Sequence, residues 1–391
     1  MLAAMNSVLK DTSLSASVAG FVAVLVGFTS SVAIVFQAAQ SLGATPAQTS
    51  SWMWALGLGM GLTSLGLSLW FRQPLLTAWS TPGAALLASS QGVAMPEAIG
   101  AFIVCGALIA LFGLTGWFEK VMDKIPTAVA SALLAGVLAH FGLDAVLTVR
   151  TAPLLVLAMA AAYLVGKRLW PRYAVPGVLV AGIAMAAVQG SLKLGAVDWA
   201  WVQPVWTTPV FTLHTLVGVA LPLFVVTMAS QNLPGVAVQR AAGYATPVSA
   251  SLATTGLATL LLAPFGGYAL NMAAITAAIC AGPEAHEDPK RRYVASAVAG
   301  VFYCAIGLAG GAVVGLLAAF PRELVAAIAG LALLGTIAGG LGAALKEEQH
   351  RDAAILTFLV TLSGVTMLGI GSAFWGVVAG SIALAVQRLR R

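Results

Sequence analysis

Charge is what this chain of 391 residues has least of. Only 8% of its residues are Asp, Glu, Lys or Arg, against roughly 25% in a soluble domain. Nineteen basic and thirteen acidic side chains are too few to coat a water-facing surface of this size. An ordinary soluble enzyme, a nucleic-acid binder and a disordered chain are thereby excluded, and the net charge of +6 comes from basic residues set singly or in threes between apolar runs. Cysteine is scarce as well. Cys105, Cys280 and Cys304 are scattered through apolar stretches, which gives neither a disulfide framework nor a metal-ligand spacing. No cleavable leader is expected, because residues 1–16 are mixed polar and the first apolar run is long enough to span and stay. No stretch is long and polar enough for a soluble domain, the longest polar connection being about twenty residues around 191–210.

What is present is apolar. Hydrophobic residues make up 60% of the chain, mean hydropathy is +0.97, and there are 42 glycines, a composition solvated by lipid, with glycine-lined helix contacts. The expected fold is an all-α polytopic membrane protein. A crossing helix needs about 20 mostly apolar residues, and fourteen segments qualify: 17–40, 50–71, 74–91, 96–118, 126–143, 151–168, 175–190, 211–233, 241–262, 264–282, 292–318, 323–344, 352–369 and 372–388. With both termini cytoplasmic, sixteen of the nineteen basic residues fall on the cytoplasmic side, and only Arg150, Lys193 and Arg322 fall on the other. That asymmetry is the positive-inside pattern.

Two segments are unlike ordinary helices. Residues 74–91 begin Pro-Leu-Leu-Thr-Ala-Trp-Ser-Thr-Pro-Gly, and residues 264–282 begin Pro-Phe-Gly-Gly-Tyr-Ala-Leu-Asn-Met. Each opens on proline, runs extended, then changes to small helix formers, and Pro82 suits the first turn of a helix. Irregular backbone at membrane depth survives only where protein buries it or a cavity wets it. The two are the third and tenth segments. An odd offset of seven reverses orientation, so the expectation is two inverted repeats of seven with a binding site where the interrupted segments meet.

Two half-helices starting near the midplane would aim their positive N-terminal ends at one point, which favours an anion. The candidate binding side chains there are Trp79, Ser80 and Thr81 from the first segment, and Tyr268 and Asn271 from the second. Trp79 and Tyr268 are equally compatible with plain packing. Gln231 and Asn232, in the run 227–235 at the end of the eighth segment, either cap that helix, which Pro234 is expected to break, or face a ligand. Ser30, with Thr29, Ser31 and Gln37 in the first segment, is a further candidate cavity liner. All thirteen carboxylates fall at or beyond segment ends, which disfavours a buried acid relay or sodium cage and removes repulsion from an anion site. His140 and Asp144, one turn apart, are expected to form an interfacial pair. The run Glu284 to Arg292 reads as a solvated hairpin. Gly307, Gly311 and Gly315, Gly57 with Gly61, and Gly335 with Gly339 read as helix contacts.

The runs Leu-Leu-Thr-Ala-Trp-Ser-Thr-Pro-Gly-Ala-Ala-Leu-Leu at 75–87, Met-Ala-Ser-Gln-Asn-Leu-Pro-Gly at 228–235 and Phe-Gly-Gly-Tyr-Ala-Leu-Asn-Met-Ala-Ala-Ile-Thr-Ala-Ala-Ile-Cys at 265–280 resemble the bacterial benzoate/proton symporter family over essentially the whole chain. The resemblance implies an inner-membrane carrier importing benzoate with protons, and the seven-plus-seven fold of nucleobase permeases and sulfate or bicarbonate transporters. In that fold a core domain moves against a gate. Residues 17–143 would hold core segments 1–4 and gate segment 5, 151–190 the rest of that gate half, 211–318 core segments 8–11 and 323–388 gate segments 12–14. The sequence departs from nucleobase permeases where they carry acids. It has Gln231-Asn232 at the first such place and Tyr268-Ala269-Leu270-Asn271 at the second, so a carboxylate ligand would meet amides instead of like charge.

A secondary carrier of an aromatic carboxylate is therefore the leading expectation, with protons, the substrate and the bilayer as its partners and no cofactor or metal. The alternatives are an anion channel of the same fold, or a carrier of another organic anion or a nucleobase. An integral membrane enzyme would need mid-membrane acids, a metal cluster or a nucleophile with its base, and the sequence supplies none. Which aromatic acid is carried, the coupling residue, and whether the protein is a monomer or a homodimer are not encoded in any motif.

Overall fold

The computed structural model describes residues 10–90, 92–123, 126–192, 201–309, 320–365, 367 and 372–389. Gly311, Gly315, Lys193 and the side chains of Thr29 and Ser30, all named above, lie outside the described residues.

The fold is mostly helical. In chain order it runs α1 Leu14–Ser41, α2 Pro46–Phe71, β1 Thr77–Trp79, α3 Thr81–Ser89, α4 Met95–Thr115, α5 Trp117–Met122, α6 Thr127–Leu147, α7 Pro153–Leu169 and α8 Ala174–Val188. A strap without regular secondary structure follows over 201–212. Then come α9 Leu213–Ala241, α10 Val248–Leu262, β2 Leu270–Met272, α11 Ile275–Ala281, α12 Tyr293–Ala309, α13 Arg322–Ala344, α14 Arg351–Leu362 and α15 Ser372–Leu389. Among the described residues, seven helices (α2, α4, α6, α9, α10, α12 and α13) are long and apolar enough to cross a bilayer. The chain is a multi-pass membrane protein. The places of the third and tenth expected segments are each taken by a three-residue strand and a short helix.

The eighth segment differs from expectation. Pro234 does not end the helix, because α9 continues to Ala241. The reason is local. A helical proline has no N–H and its ring clashes with the carbonyl four residues back. The carbonyls facing Pro222 and Pro234 belong to Gly218 and Ser230, and each lies within a wider π-turn, over Leu216–Ala220 and Met228–Asn232. In both turns the closing N–H reaches five residues back, from Leu221 to Leu216 and from Leu233 to Met228.

β1 and β2 pair antiparallel, with Thr77 opposite Met272, Ala78 opposite Asn271 and Trp79 opposite Leu270. Such a ribbon inside a helical bundle must have its outer donors satisfied by side chains. Ser64 of α2 accepts from the Thr77 N–H at 3.0 Å, and Thr259 of α10 accepts from the Leu270 N–H at 2.9 Å. On β2, Asn232 Oδ1 also accepts from the Met272 N–H at 2.9 Å.

The helices pack in two sets. In one, α2 lies along α12, α4 along α10, and α1 along α12 and α3. In the other, α6 lies along α13 and α14, α7 along α8, and α14 along α15. The sets meet where the end of α9 packs on α6 and where α1 and α11 pack on α13. Gly57 sits against Gly307 so closely that a Cβ would overlap its backbone, and Gly61 does the same against Cys304 and Gly300. On one face Asp11 is bridged by Arg72 and Arg291, each at 3.5 Å, and accepts from the Tyr293 hydroxyl at 2.8 Å. On the opposite face the strap is pinned where Val210 N–H meets Pro96 O at 2.9 Å and Thr207 N–H meets Pro264 O at 2.8 Å.

Candidate functional site

A cavity of about 330 Å³ opens where the two strand–helix segments meet. Its wall takes Val26, Gly27 and Ser31 from α1, Met60 from α2, Ala78 and Trp79 from β1, and Thr81 and Pro82 from the first turn of α3. Ala273 to Thr276, at the start of α11, Gln231 of α9, Tyr303 of α12 and Phe141 of α6 complete it. Phe141 is the contribution of the second helix set. The volume lies at the low end of the range for small-molecule sites, about 300–1,000 Å³.

The chemistry of the wall is apolar with a few neutral polar groups. Among the described residues, no Asp, Glu, Lys, Arg or His lines it. Gln231 brings an amide from within the π-turn of α9, where the extra residue displaces it from the regular helical register. Thr81 and Thr276 bring hydroxyls. Trp79 is fixed: its Nε1 donates to Ser31 Oγ at 3.0 Å, Ser31 donates on to Gly27 O at 2.9 Å, and its ring meets Phe28 edge-on at 5.7 Å. Gly27 is required by close approach, because a Cβ there would collide with the Thr276 methyl and crowd the Tyr303 hydroxyl.

Of the residues singled out from sequence, Ser31, Trp79, Thr81 and Gln231 are brought together on this cavity. Ser80 is turned to another task. It caps α3 by accepting from the Gly83 N–H at 3.1 Å and also accepts from the Thr227 hydroxyl at 3.0 Å. Asn232 is fully buried and holds β2 through Met272, while its amide donates to Met228 Sδ at 3.3 Å. Tyr268 is not among the lining residues and packs between Trp52 and Phe102, at centroid distances of 5.6 and 5.8 Å. Asn271 lies two residues after a strained position. Ala269 has φ of +34°, and Asn271 Nδ2 donates to the Ala269 carbonyl at 3.0 Å. Sequence reasoning passed over Phe141, Thr276 and Tyr303. Thr276 lies inside the 265–280 motif but in its helix-forming part, and nothing local marks the other two.

Two further expectations are corrected. Among the described ion pairs, none joins His140 to Asp144; a Cβ on Gly364 would lie 3.4 Å from the His140 ring. The Glu284–Arg292 run is not wholly solvated, since Glu284 and His286 are buried and Glu284 Oε1 accepts from Lys167 Nζ at 2.8 Å.

The family model described as "Benzoate membrane transport protein" matches residues 10–386. The chain is 51% identical over 372 residues to "Inner membrane protein YdcO" of Escherichia coli strain K12, covering 95% of each. It is 40% identical over 384 residues to "Benzoate membrane transport protein" of Acinetobacter baylyi, covering 98% of each. In structure it resembles SLC26A9, with a TM-score of 0.51 at 13% identity over 97% of this chain and 66% of that one, a likeness of fold alone. A largely apolar cavity at the junction of two strand–helix segments thus sits in a chain matched along its length to a transport family. The chain belongs to the benzoate membrane transport protein family, and is a membrane transporter and not an enzyme.

Proposed function

We propose that the protein is a secondary carrier that imports benzoate or a related aromatic carboxylate with protons. The observation that carries this reading is the cavity: charge-free, about 330 Å³, and walled by both helix sets. An aromatic ring would lie against Trp79, Phe141 and Met60, with aromatic contacts contributing about 0.5–1.5 kcal/mol beyond burial. The carboxylate would accept hydrogen bonds from the Gln231 amide and the Thr81 and Thr276 hydroxyls, near the positive end of α3. No acid among the described wall residues repels it.

The transport cycle in this proposal is alternating access of a core, α1–α4 with α9–α12, against a gate, α6–α8 with α13–α15. The fourteen segments form two inverted repeats of seven, with the third and tenth discontinuous in the membrane. Three features support the repeat. An antiparallel ribbon has a local two-fold axis at its central pair, here Ala78 and Asn271. The first N–H of each strand is held by the segment before it, through Ser64 and Thr259 respectively. The packing of α2 on α12 exchanges with that of α10 on α4 under an offset of seven segments.

Equilibrium binding of radiolabelled benzoate to the purified protein, with unlabelled benzoate, uracil and sulfate as competitors, tests the site. Saturable binding displaced by benzoate alone is expected. Displacement by uracil or sulfate, or no saturable binding, would overturn the substrate assignment.

A further inference from the structure

Glu284 follows α11, the short helix whose first turn lines the cavity. The helix runs seven residues from Ile275 to Ala281, about 10 Å at 1.5 Å per residue, so Glu284 stands one short helix away from the cavity along the way to the face that holds Asp11. Its side chain is only 5% exposed, yet it belongs to a connection rich in charge. What buries it is the other helix set. Oε1 accepts from Lys167 Nζ of α7 at 2.8 Å, and the carboxylate lies over Gly335 of α13, where a Cβ would overlap Oε1. Glycine at 335 therefore leaves the notch that receives the acid. Among the described residues, the other ion pairs join groups within one set or reach the connection around Asp123. Glu284–Lys167 is the pair that fastens the set containing α11 to the set containing α7 and α13.

We propose that Glu284, Lys167 and Gly335 form a latch that holds the two helix sets together on this face and must part each time the core moves against the gate. The inference rests on the alternating-access reading above. Breaking a buried pair by removing one partner leaves an uncompensated charge and is costly, whereas Lys167 is 43% exposed, which moderates its share. Neutralising either partner is expected to shift the ratio of open to closed molecules on this face by about tenfold. Glu284 and Lys167 do not line the cavity; they act as positioning residues, through the relative placement of the two sets.

The test is a distance between the sets that needs no substrate. Cys105, Cys280 and Cys304 are replaced by Ala, and spin labels are placed on Lys290→Cys of the connection after Glu284 and Lys346→Cys after α13, both exposed. Pulsed electron–electron distance measurement on the full chain in lipid nanodiscs should give one main separation, with a longer population added in E284Q, in K167M and in G335A. The E284Q/K167M double variant should shift no further than either single one. Gly335→Ala leaves both charges in place, so it reports on the latch even if a charge variant is recovered poorly. Distributions unchanged from the parent in E284Q and G335A, or shifts that add in the double variant, would overturn the latch. Benzoate binding by the parent protein tests the transport reading separately. Loss of one result with survival of the other shows which of the two has failed.

Discussion

Among the described residues on the cavity wall, Gln231 carries the only amide, and its place depends on the π-turn that holds it. Removing a hydrogen bond to a charged ligand group costs about 1.5–3 kcal/mol, so Gln231→Leu is expected to weaken benzoate binding by at least about tenfold while the protein still purifies as a folded species. Unchanged affinity in that variant would contradict the assignment of Gln231 to the carboxylate. Asn271 carries a different expectation. It bonds back to Ala269, whose φ of +34° is disfavoured for a residue with a Cβ. Ala269→Val should cost about 1–3 kcal/mol in stability, and Ala269→Gly should leave the melting temperature equal or higher. Thermal unfolding of the two variants in the same detergent reads the difference directly. Equal losses in both would show that the position is not strained. From sequence Tyr268 and Asn271 are indistinguishable from ligand-facing groups, because the side of an extended segment that meets the cavity is set by its pairing with the other strand, a contact 193 residues apart at its centre, Ala78 with Asn271.

At the scale of elements, α9 shows how a proline can be read correctly and yet interpreted wrongly. Pro234 marks an interruption in the regular ladder, and the expectation of a helix end follows from the missing N–H. The chain instead widens the preceding turn and continues to Ala241, an outcome that needs tertiary packing of α9 on α6 to stabilise it. Pro234→Ala is expected to let α9 regain a regular turn, rotating Gln231 by about 100° at 3.6 residues per turn, with affinity falling and stability kept. Pro222→Ala, at the other π-turn and away from the cavity wall, serves as the comparison and should bind benzoate as the parent does. If both bind equally well, the turn does not position the site. The strand–helix segments themselves were visible in the sequence, because proline, glycine and a change to small helix formers are local signals. Their register was not. Nor was the capping by Ser80, whose hydroxyl could equally have faced a ligand.

For the whole molecule, composition alone identifies the lipid-solvated class, since so little charge has no other solvent. The family follows from three long motifs, and the match over residues 10–386 agrees with that resemblance. Long-range features stayed hidden. Phe141 and Tyr303 come to the cavity from helices with no local mark, and the burial of Glu284 depends on Lys167 and Gly335, which are distant in sequence. These placements define the central claim, that two helix sets enclose an aromatic anion in a charge-free cavity and carry it across by moving against each other with protons. Uptake of radiolabelled benzoate into proteoliposomes under an imposed inward proton gradient tests it most directly, with empty liposomes correcting for passive entry of the neutral acid. Transient accumulation above the empty-liposome level is expected, abolished by a protonophore and unaffected by uracil or sulfate. Protein-dependent uptake that never exceeds equilibrium, or no protein-dependent uptake at all, would contradict it.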